Sequence, residues 1–289
     1  MESLKASVVG GGSWGTAFSR LLAGAGLDTE LICRRPEQAE AISGDHRNPD
    51  YLSDIELPET LAAATFEANR LAQADLAVIA IPSKVYREVA HQVAGVINPA
   101  AAVLSLTKGL EPGTLKRFSE VLAEELPPPA SSRVMVLSGP NHAEEVALDI
   151  PTATTIAAID LKLAAWLQQL ISTDSFRPYV NEDLIGVELC AATKNVIALA
   201  VGMADGMGYG DNTKASVITR GLKETSNLGV ALGADPATFA GLAGLGDPVA
   251  TCYSARSGKH RLGSRLGRGE PIPDTPTGPN PTAGGLKGC

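Results

Sequence analysis

The stretch KASVVGGGSWGTAFSRLLAGAG, residues 5–26, decides the fold. Its first residues are a short β-branched run that predicts a strand, and Phe18, Leu21 and Leu22 recur at helical spacing directly after it. Between the two, Gly10, Gly12 and Gly15 fit the pattern G-x-G-x-x-G. Gly10 permits a tight turn, Gly12 lets the backbone approach a pyrophosphate, and Gly15 allows the helix to lie against the strand, whose following N–H groups face the anion. Glycine spacing alone is weak. Here it follows a strand, opens a helix and heads a β-α-β pattern, which makes it a dinucleotide-binding signature.

Working outward, the second strand is TELIC, residues 29–33, and it should end near the adenosine ribose. An NAD-specific site places an acidic side chain there, whereas this chain has Cys33-Arg34-Arg35. Two guanidinium groups suit a 2′-phosphate, so NADPH is expected as cofactor alongside NADH. The alternative is a pair of solvated arginines opening the next helix. Further strands are predicted over 74–82, 101–109 and 132–140, with helices over 83–95 and 114–126. Strands alternating with helices imply a doubly wound parallel sheet of the Rossmann type, with ligands beyond the carboxyl ends of the strands. That end carries IPS, TKG and SGPNHAEE, so Lys108 brings a cation towards the crevice. In the last of these, Asn141 is a candidate for capping the helix HAEEVA as much as for touching a substrate, and His142 reads as a surface or capping residue.

PTATTIAAI (151–159) and SFRPYV (175–180) predict two more strands around the amphipathic helix DLKLAAWLQQLI. After Tyr179 the pattern becomes helical, so the fold class is α/β, a Rossmann-type sheet followed by an all-helical C-terminal domain. Asn181 is a candidate N-cap for a helix reaching about Met203, in which Glu188 and Lys194 are the only charges from Leu184 onward. A helix apolar on nearly all sides is buried. Lys194 has Cys190, Ala191, Ile197 and Ala198 at helical spacing, and none can pair with its ammonium. Its partner must come from elsewhere, and the glycine-rich turn GLAGLGDPVATC offers Asp247. Such a pair is either a structural buried ion pair or a proton-exchanging device beside a bound oxygen. DGMGYGDN (205–212) lacks the carboxylate spacing of a calcium loop and reads as a helix–helix turn, and no metal site is expected.

The chain has 289 residues, 44% of them hydrophobic, and a net charge of −8 spread along its length. It has room for two domains and no concentrated basic face for nucleic acid or anionic membrane. Cys33, Cys190, Cys252 and Cys289 are scattered without a CxxC pair, which suits reduced thiols in a reducing compartment. No signal segment opens the chain, and no apolar run is expected to reach the ~20 residues that cross a bilayer, so a cytoplasmic protein is expected.

VVGGGSWGTA, TKGLE, LSGPNHAEE, KNVIALAVGMADGMGYGDNTKASVITRGLKE and LAGLGDPVATCYS, in order from about Ser7 to Arg268, together resemble the bacterial NAD(P)-dependent glycerol-3-phosphate dehydrogenases. The resemblance implies reversible hydride transfer between NADPH or NADH and dihydroxyacetone phosphate, giving sn-glycerol 3-phosphate for phospholipid synthesis. It implies that Lys194 protonates the nascent alkoxide, that Asp247 orients and balances it, and that Lys108 holds substrate and adds positive potential. Gly10, Gly12, Ser13, Trp14, Gly15, Arg34, Arg35, Lys108 and Ala143 match cofactor-contacting positions. Gly139, Asn141, Thr251, Ser257 and Lys259 join Lys108, Lys194 and Asp247 on the substrate side.

Two features depart from the family. Where relatives read SRN, this chain has Ser257, Gly258 and Lys259, which replaces a bidentate phosphate donor by a glycine and a point charge. Lys259, His260, Arg261 or Arg256 could then serve after a small loop shift. The ending PIPDTPTGPNPTAGGLKGC lacks a helical period and reads as a disordered tail on a C-terminally short chain, consistent with a truncated or frame-shifted product. Uncovered apolar helices would favour self-association as a homodimer. The expected organisation is a dinucleotide-binding domain over 1–180, a helical substrate domain over 181–268 and a tail over 269–289. The rival readings are a dehydrogenase of another hydroxy compound and a non-catalytic NAD(P)-binding remnant.

Overall fold

The computed structural model describes residues 3–254 and 257–271. The tail expected over 269–289 lies outside the described residues except for Gly269, Glu270 and Pro271, as do Arg256 and Cys289. In chain order the first elements are β1 (Lys5–Val9), α1 (Ser13–Gly24), β2 (Asp28–Cys33), α2 (Pro36–Asp45), β3 (Ala62–Thr65), β4 (Leu76–Ile79) and α3 (Tyr86–Ala94). They are followed by β5 (Ala102–Ser105), α4 (Phe118–Glu125), β6 (Val134–Ser138), α5 (Ala143–Ala147), β7 (Thr152–Ala158), α6 (Leu161–Ile171) and β8 (Phe176–Asn181). The strands form one eight-stranded sheet in the order β3-β2-β1-β4-β5-β6-β7-β8. The pairings of β1 with β2 and β4, of β2 with β3, of β4 with β5, of β5 with β6, and of β7 with β8 are parallel. The chain direction reverses its march across the sheet between β1 and β4, the point at which doubly wound sheets place a ligand.

Both faces of the sheet are covered, so its strands are apolar without alternation. Val8 faces a core with Phe18, Leu22 and Leu31, whereas its neighbour Val9 faces one with Ile79, Tyr86 and Phe118. Tyr86 stacks on Phe118 at 4.1 Å and spends its hydroxyl on Ser105 Oγ at 2.8 Å, which satisfies the polar end of a fully buried ring.

The expected strands over 74–82, 101–109 and 132–140 prove shorter, because their last residues leave the ladder to form the loops at the carboxyl edge. The helix expected from 114 begins at Phe118, where the Glu120 carboxylate accepts from the Arg117 backbone N–H at 2.9 Å. β3, AAAT, escapes a sequence reading because alanine has little strand preference.

The remaining elements are α7 (Leu184–Gly206), α8 (Asp211–Ala231), α9 (Asp247–Tyr253) and α10 (Gly258–Gly267). The chain divides into two compact units. The first holds the described residues up to Thr107 with Glu111–Leu137 and Asn141–Leu184, and the second holds Lys108–Leu110, Ser138–Pro140 and the described residues from Ile185 on. The division therefore falls a few residues after the expected boundary at 180, and two short loops from the sheet's edge group with the helices.

Within the second unit α7 and α10 touch backbone to backbone. A Cβ on Gly202 would lie 2.1 Å from the His260 carbonyl oxygen, and one on Gly206 would lie 2.0 Å from that of Ser264. Reciprocally, Gly263 and Gly267 of α10 would meet the carbonyl oxygens of Leu199 and Met203 at 2.2 Å. This contact corrects two expectations. Ser257, Gly258 and Lys259 are not a loop free to shift, since Ser257 caps α10 and the helix is pinned on α7. Also, α7 has 23 residues and enough apolar length to cross a bilayer, which the sequence reading denied. Its glycine seam against α10, its buried Glu188 and its ion-paired Lys194 account for that apolar length by packing inside the second unit.

Candidate active site

Three charged side chains meet in the second unit. Lys194 comes from the middle of α7, and Lys108 from the loop after β5. Asp247 is delivered by a single π turn, Leu242–Gly246, that runs directly into α9. Gly244 of that turn is required by space, because a Cβ there would come within 2.2 Å of the Phe239 carbonyl oxygen. Asp247 stands in the first turn of α9, where unpaired N–H groups favour a negative charge.

Lys194 Nζ donates to Asp247 Oδ1 at 2.6 Å, and Lys108 Nζ donates to Asp247 Oδ2 at 2.7 Å. One carboxylate thus separates two ammonium groups. Side-chain exposure is 2% for Asp247, 11% for Lys194 and 18% for Lys108, so the charges are largely withdrawn from water. The Gly139 carbonyl accepts a further hydrogen bond from Lys108 Nζ at 3.0 Å. Thr251, one turn along α9, donates to the Asp247 main-chain carbonyl at 2.7 Å and lies 3.4 Å from Lys194 Nζ.

Burial pushes Lys108 down hardest, the Asp247 carboxylate opposes the fall, and the Lys194 charge adds to it; the result is a pKa of about 7. Burial would raise Asp247, yet the two ammonium groups outweigh it and hold the carboxyl below its ordinary range. A buried group with a proton labile near neutrality, beside a fixed ion pair, has the properties of a proton-handling site. Two cations against one anion also leave residual positive charge, suited to an oxygen on which negative charge grows. Cys252 is next to this cluster in sequence and buried, and burial pushes its thiol up to about 11, so it is an apolar filler rather than a nucleophile.

In the first unit the glycine loop has the spatial constraints read from its spacing. Gly10 has φ +120°, and a Cβ there would lie 2.3 Å from the Ala80 carbonyl oxygen; one on Gly15 would lie 1.9 Å from that of Gly10. At Gly12 a Cβ would meet nothing within 4 Å. The open space lies where a pyrophosphate would approach the first turn of α1, so the residues present fit a dinucleotide. Ser13 begins that helix, and Trp14 packs edge-on against Phe18 at 5.8 Å. Ala143 begins α5, which packs along α1.

Arg34 is exposed after β2, while Arg35 pairs with Asp50. Asn141 is buried and donates to Thr154 Oγ1 at 3.0 Å, and the residue at the cap position of α5 is His142. Ser257 accepts from the His260 backbone N–H at 3.3 Å and is buried, with Lys259 in the first turn beyond it.

Sequence reasoning missed Asn48 and Gln38, which brace the glycine loop. Both donate to the Gly11 carbonyl, at 3.1 and 2.8 Å. Neither carries a motif, and only the fold brings them under the loop. It also missed that Lys108 shares Asp247 with Lys194.

The whole chain can be set against known proteins. The family model described as the NAD-dependent glycerol-3-phosphate dehydrogenase N-terminus matches residues 5–164, and the model of the corresponding C-terminus matches residues 183–289. A glycerol-3-phosphate dehydrogenase [NAD(P)+] of Streptomyces griseus is 50% identical over 286 residues, covering 99% of this chain and 85% of the relative. One from Thermobifida fusca is 50% identical over 284 residues, covering 98% and 84%. Among solved structures, the glycerol-3-phosphate dehydrogenase of Coxiella burnetii superposes with a TM-score of 0.85 at 35% identity, over 92% of this chain and 81% of that one.

Proposed function

Because the chain belongs to the family of NAD-dependent glycerol-3-phosphate dehydrogenases, we propose that the buried Lys108–Asp247–Lys194 cluster is its proton-transfer site and the Gly10–Gly15 loop its cofactor site. The protein is an NAD(P)-dependent oxidoreductase acting on a CH–OH group, and it interconverts dihydroxyacetone phosphate and sn-glycerol 3-phosphate. Its product is a backbone precursor of phospholipids.

The reduced nicotinamide, when bound, supplies the hydride that adds to the carbonyl carbon. Lys194 Nζ gives a proton to the carbonyl oxygen as its C=O electron pair becomes an alkoxide, and takes it back in the oxidative direction. Asp247 holds that ammonium in place through its 2.6 Å hydrogen bond. Lys108, tethered by Asp247 and the Gly139 carbonyl, adds positive potential and contacts the substrate. Thr251 fixes the Asp247 side of the cluster. Asn141, Ser257 and Lys259 serve the phosphorylated end. Gly12 and the first turn with Ser13 and Trp14 would receive the pyrophosphate, with Ala143 as a further cofactor contact, and Arg34 and Arg35 would hold the adenosine end. The first unit is thus the dinucleotide domain and the second the substrate domain. Exposed Val196 and Met203 of α7, Met207 directly after it, and Leu228 and Val230 of α8 support assembly as a homodimer, and we assign the protein to the cytoplasm.

The observation that carries this reading is the pair of short hydrogen bonds, 2.6 and 2.7 Å, that one buried carboxylate accepts from two lysines. The test follows loss of reduced-nicotinamide absorbance with dihydroxyacetone phosphate for the parent and for Lys194→Ala, both verified as folded by circular dichroism. Lys194→Ala should lose about 10²- to 10⁴-fold in kcat with cofactor binding retained. A folded Lys194→Ala protein that keeps parental turnover would remove the acid from Lys194.

A further inference from the structure

We propose that Asp50 sets the cofactor preference of this enzyme by competing with the adenosine 2′-phosphate for Arg35. The inference rests on the reading of the glycine loop and Arg34-Arg35 as the dinucleotide site. Arg35 Nη2 is ion-paired to Asp50 Oδ2, with side-chain exposures of 49% and 34%, so the pair is open to a ligand from solvent. Arg34, exposed beside it, makes no ion pair among the described residues.

Asp50 is not a drifting surface acid. Its backbone N–H donates to Asn48 Oδ1 at 3.1 Å, and the Asn48 side chain is entirely buried. Asn48 Nδ2 in turn donates to the Gly11 carbonyl at 3.1 Å and to Thr16 Oγ1 at 2.7 Å, and Asn48 Oδ1 also accepts from Gln38 Nε2 at 3.0 Å. The carboxylate is therefore tied to the glycine loop through a buried amide. Arg35 is equally placed, since it is the residue preceding Pro36 at the start of α2. Both members of the pair have fixed backbones, and only the guanidinium head can change partner.

The two cofactors ask different things of that head. NADH presents a neutral 2′-hydroxyl, and Arg35 can keep its carboxylate. NADPH presents a phosphate dianion, which must draw Arg35 away from Asp50 and sit near a fixed negative charge. Two guanidiniums less one carboxylate leave a single net positive charge for the phosphate, where a sequence reading of Arg34-Arg35 counts two. Asp50 thereby holds NADPH affinity down towards that of NADH and makes the site permissive for both.

The test measures dissociation constants for NADPH and NADH by titration calorimetry at fixed salt, using the full chain. Asp50→Asn keeps the backbone hydrogen bond to Asn48 and removes only the charge. It should tighten NADPH by about 3- to 10-fold and change NADH by less than about 2-fold, the gain shrinking as salt rises. In an Arg35→Gln background the same substitution should give a clearly smaller NADPH gain, because only the direct repulsion between Asp50 and the phosphate is then relieved. Asp50→Ser, with a melting temperature equal to the parent's, should reproduce the Asp50→Asn result. An unchanged ratio overturns the proposal, as does an equal loss for both cofactors, which would make Asp50 a brace of the loop. A gain undiminished by Arg35→Gln overturns it too. A parent that binds neither cofactor overturns the dinucleotide reading itself and this inference with it.

Discussion

In the first unit Arg87 donates to three carboxylates, Glu111 at 2.7 Å, Glu124 at 2.9 Å and Glu125 at 2.6 Å; in the second, Asp247 accepts from two ammoniums. The chemistry of the contacts is the same and the outcomes are opposite. Around Arg87, hydrogen bonds to Glu111, Glu125 and Glu124 raise the guanidinium further above its ordinary range, and its own hydrogen bonds pull Glu111 down to about 2 against a smaller effect of burial. The guanidinium and its three carboxylates are all held in their charged forms. Around Asp247, burial dominates the lysine at its edge and brings Lys108 to about 7. Ion pairs left partly in water freeze protonation states, whereas withdrawing two like charges from water onto one partner leaves one of them ready to give up a proton. Burial and the ratio of cations to anions, rather than the presence of a salt bridge, mark the proton-handling site.

The harshest way to break the contrast is to remove the shared anion. Asp247→Asn leaves two ammoniums facing each other in a dry site, and such an uncompensated buried charge costs about 3–5 kcal/mol. Activity should fall by about 10³-fold as the acid loses its anchor. Chemical denaturation and steady-state rates check both. Parental activity in a folded Asp247→Asn protein would show that the carboxylate only braces the second unit and takes no part in proton transfer.

Lys108 offers a subtler cut. Its folded pKa of about 7 lies below its ordinary 10.5, so between those values the unfolded chain holds more protons than the folded one. Stability should therefore rise with pH across that window, and Lys108→Met should flatten the rise. The rate of ketone reduction should move the other way and fall as pH climbs through about 7, since the positive charge on Lys108 is lost. Removing the side chain should cost about 10²-fold in kcat/KM, in line with deleting a preorganised donor at a developing oxyanion, and should abolish that inflection. An inflection that persists in Lys108→Met assigns the titration to another group.

The two clusters also differ in how far the sequence exposes them. Lys194 and Asp247 could be paired on paper because no side chain at helical spacing could satisfy the lysine, and one acidic residue stood in a nearby glycine turn. The Gly10–Gly15 loop was equally legible, since its constraints act between residues a few positions apart. Lys108 was read as a cation in the loop after its strand, whereas its bond to Asp247 closes a separation of 139 residues and has no local trace. Asp50 likewise reaches Arg35 only after α2 folds back. The seam between α7 and α10 did leave a trace, the paired spacings Gly202-xxx-Gly206 and Gly263-xxx-Gly267, which mark helices in backbone contact. Reading them would have turned Ser257–Lys259 from a loop into the start of a pinned helix.

The smallest effect, and the sharpest test of what separates the clusters, belongs to Arg87. Arg87→Met should leave kcat, KM and their pH profile unchanged, because Arg87 and its three carboxylates stay charged across neutrality and lie outside the Lys108–Asp247–Lys194 cluster. It should still destabilise the fold by about 1–2 kcal/mol, mostly through Glu111, whose 10% exposed side chain would keep, among the described residues, the Thr114 hydroxyl as its side-chain donor. The loss should shrink as pH falls. Glu111 is depressed to about 2 from an ordinary 4.5, so its pairing stabilises the fold above the unfolded value and is surrendered as the carboxyl protonates. Parent and Arg87→Met melting curves should therefore converge on acidification from neutral pH towards about 2, and a pH-independent gap between them would assign the cost to lost packing of the arginine stem instead of its charge.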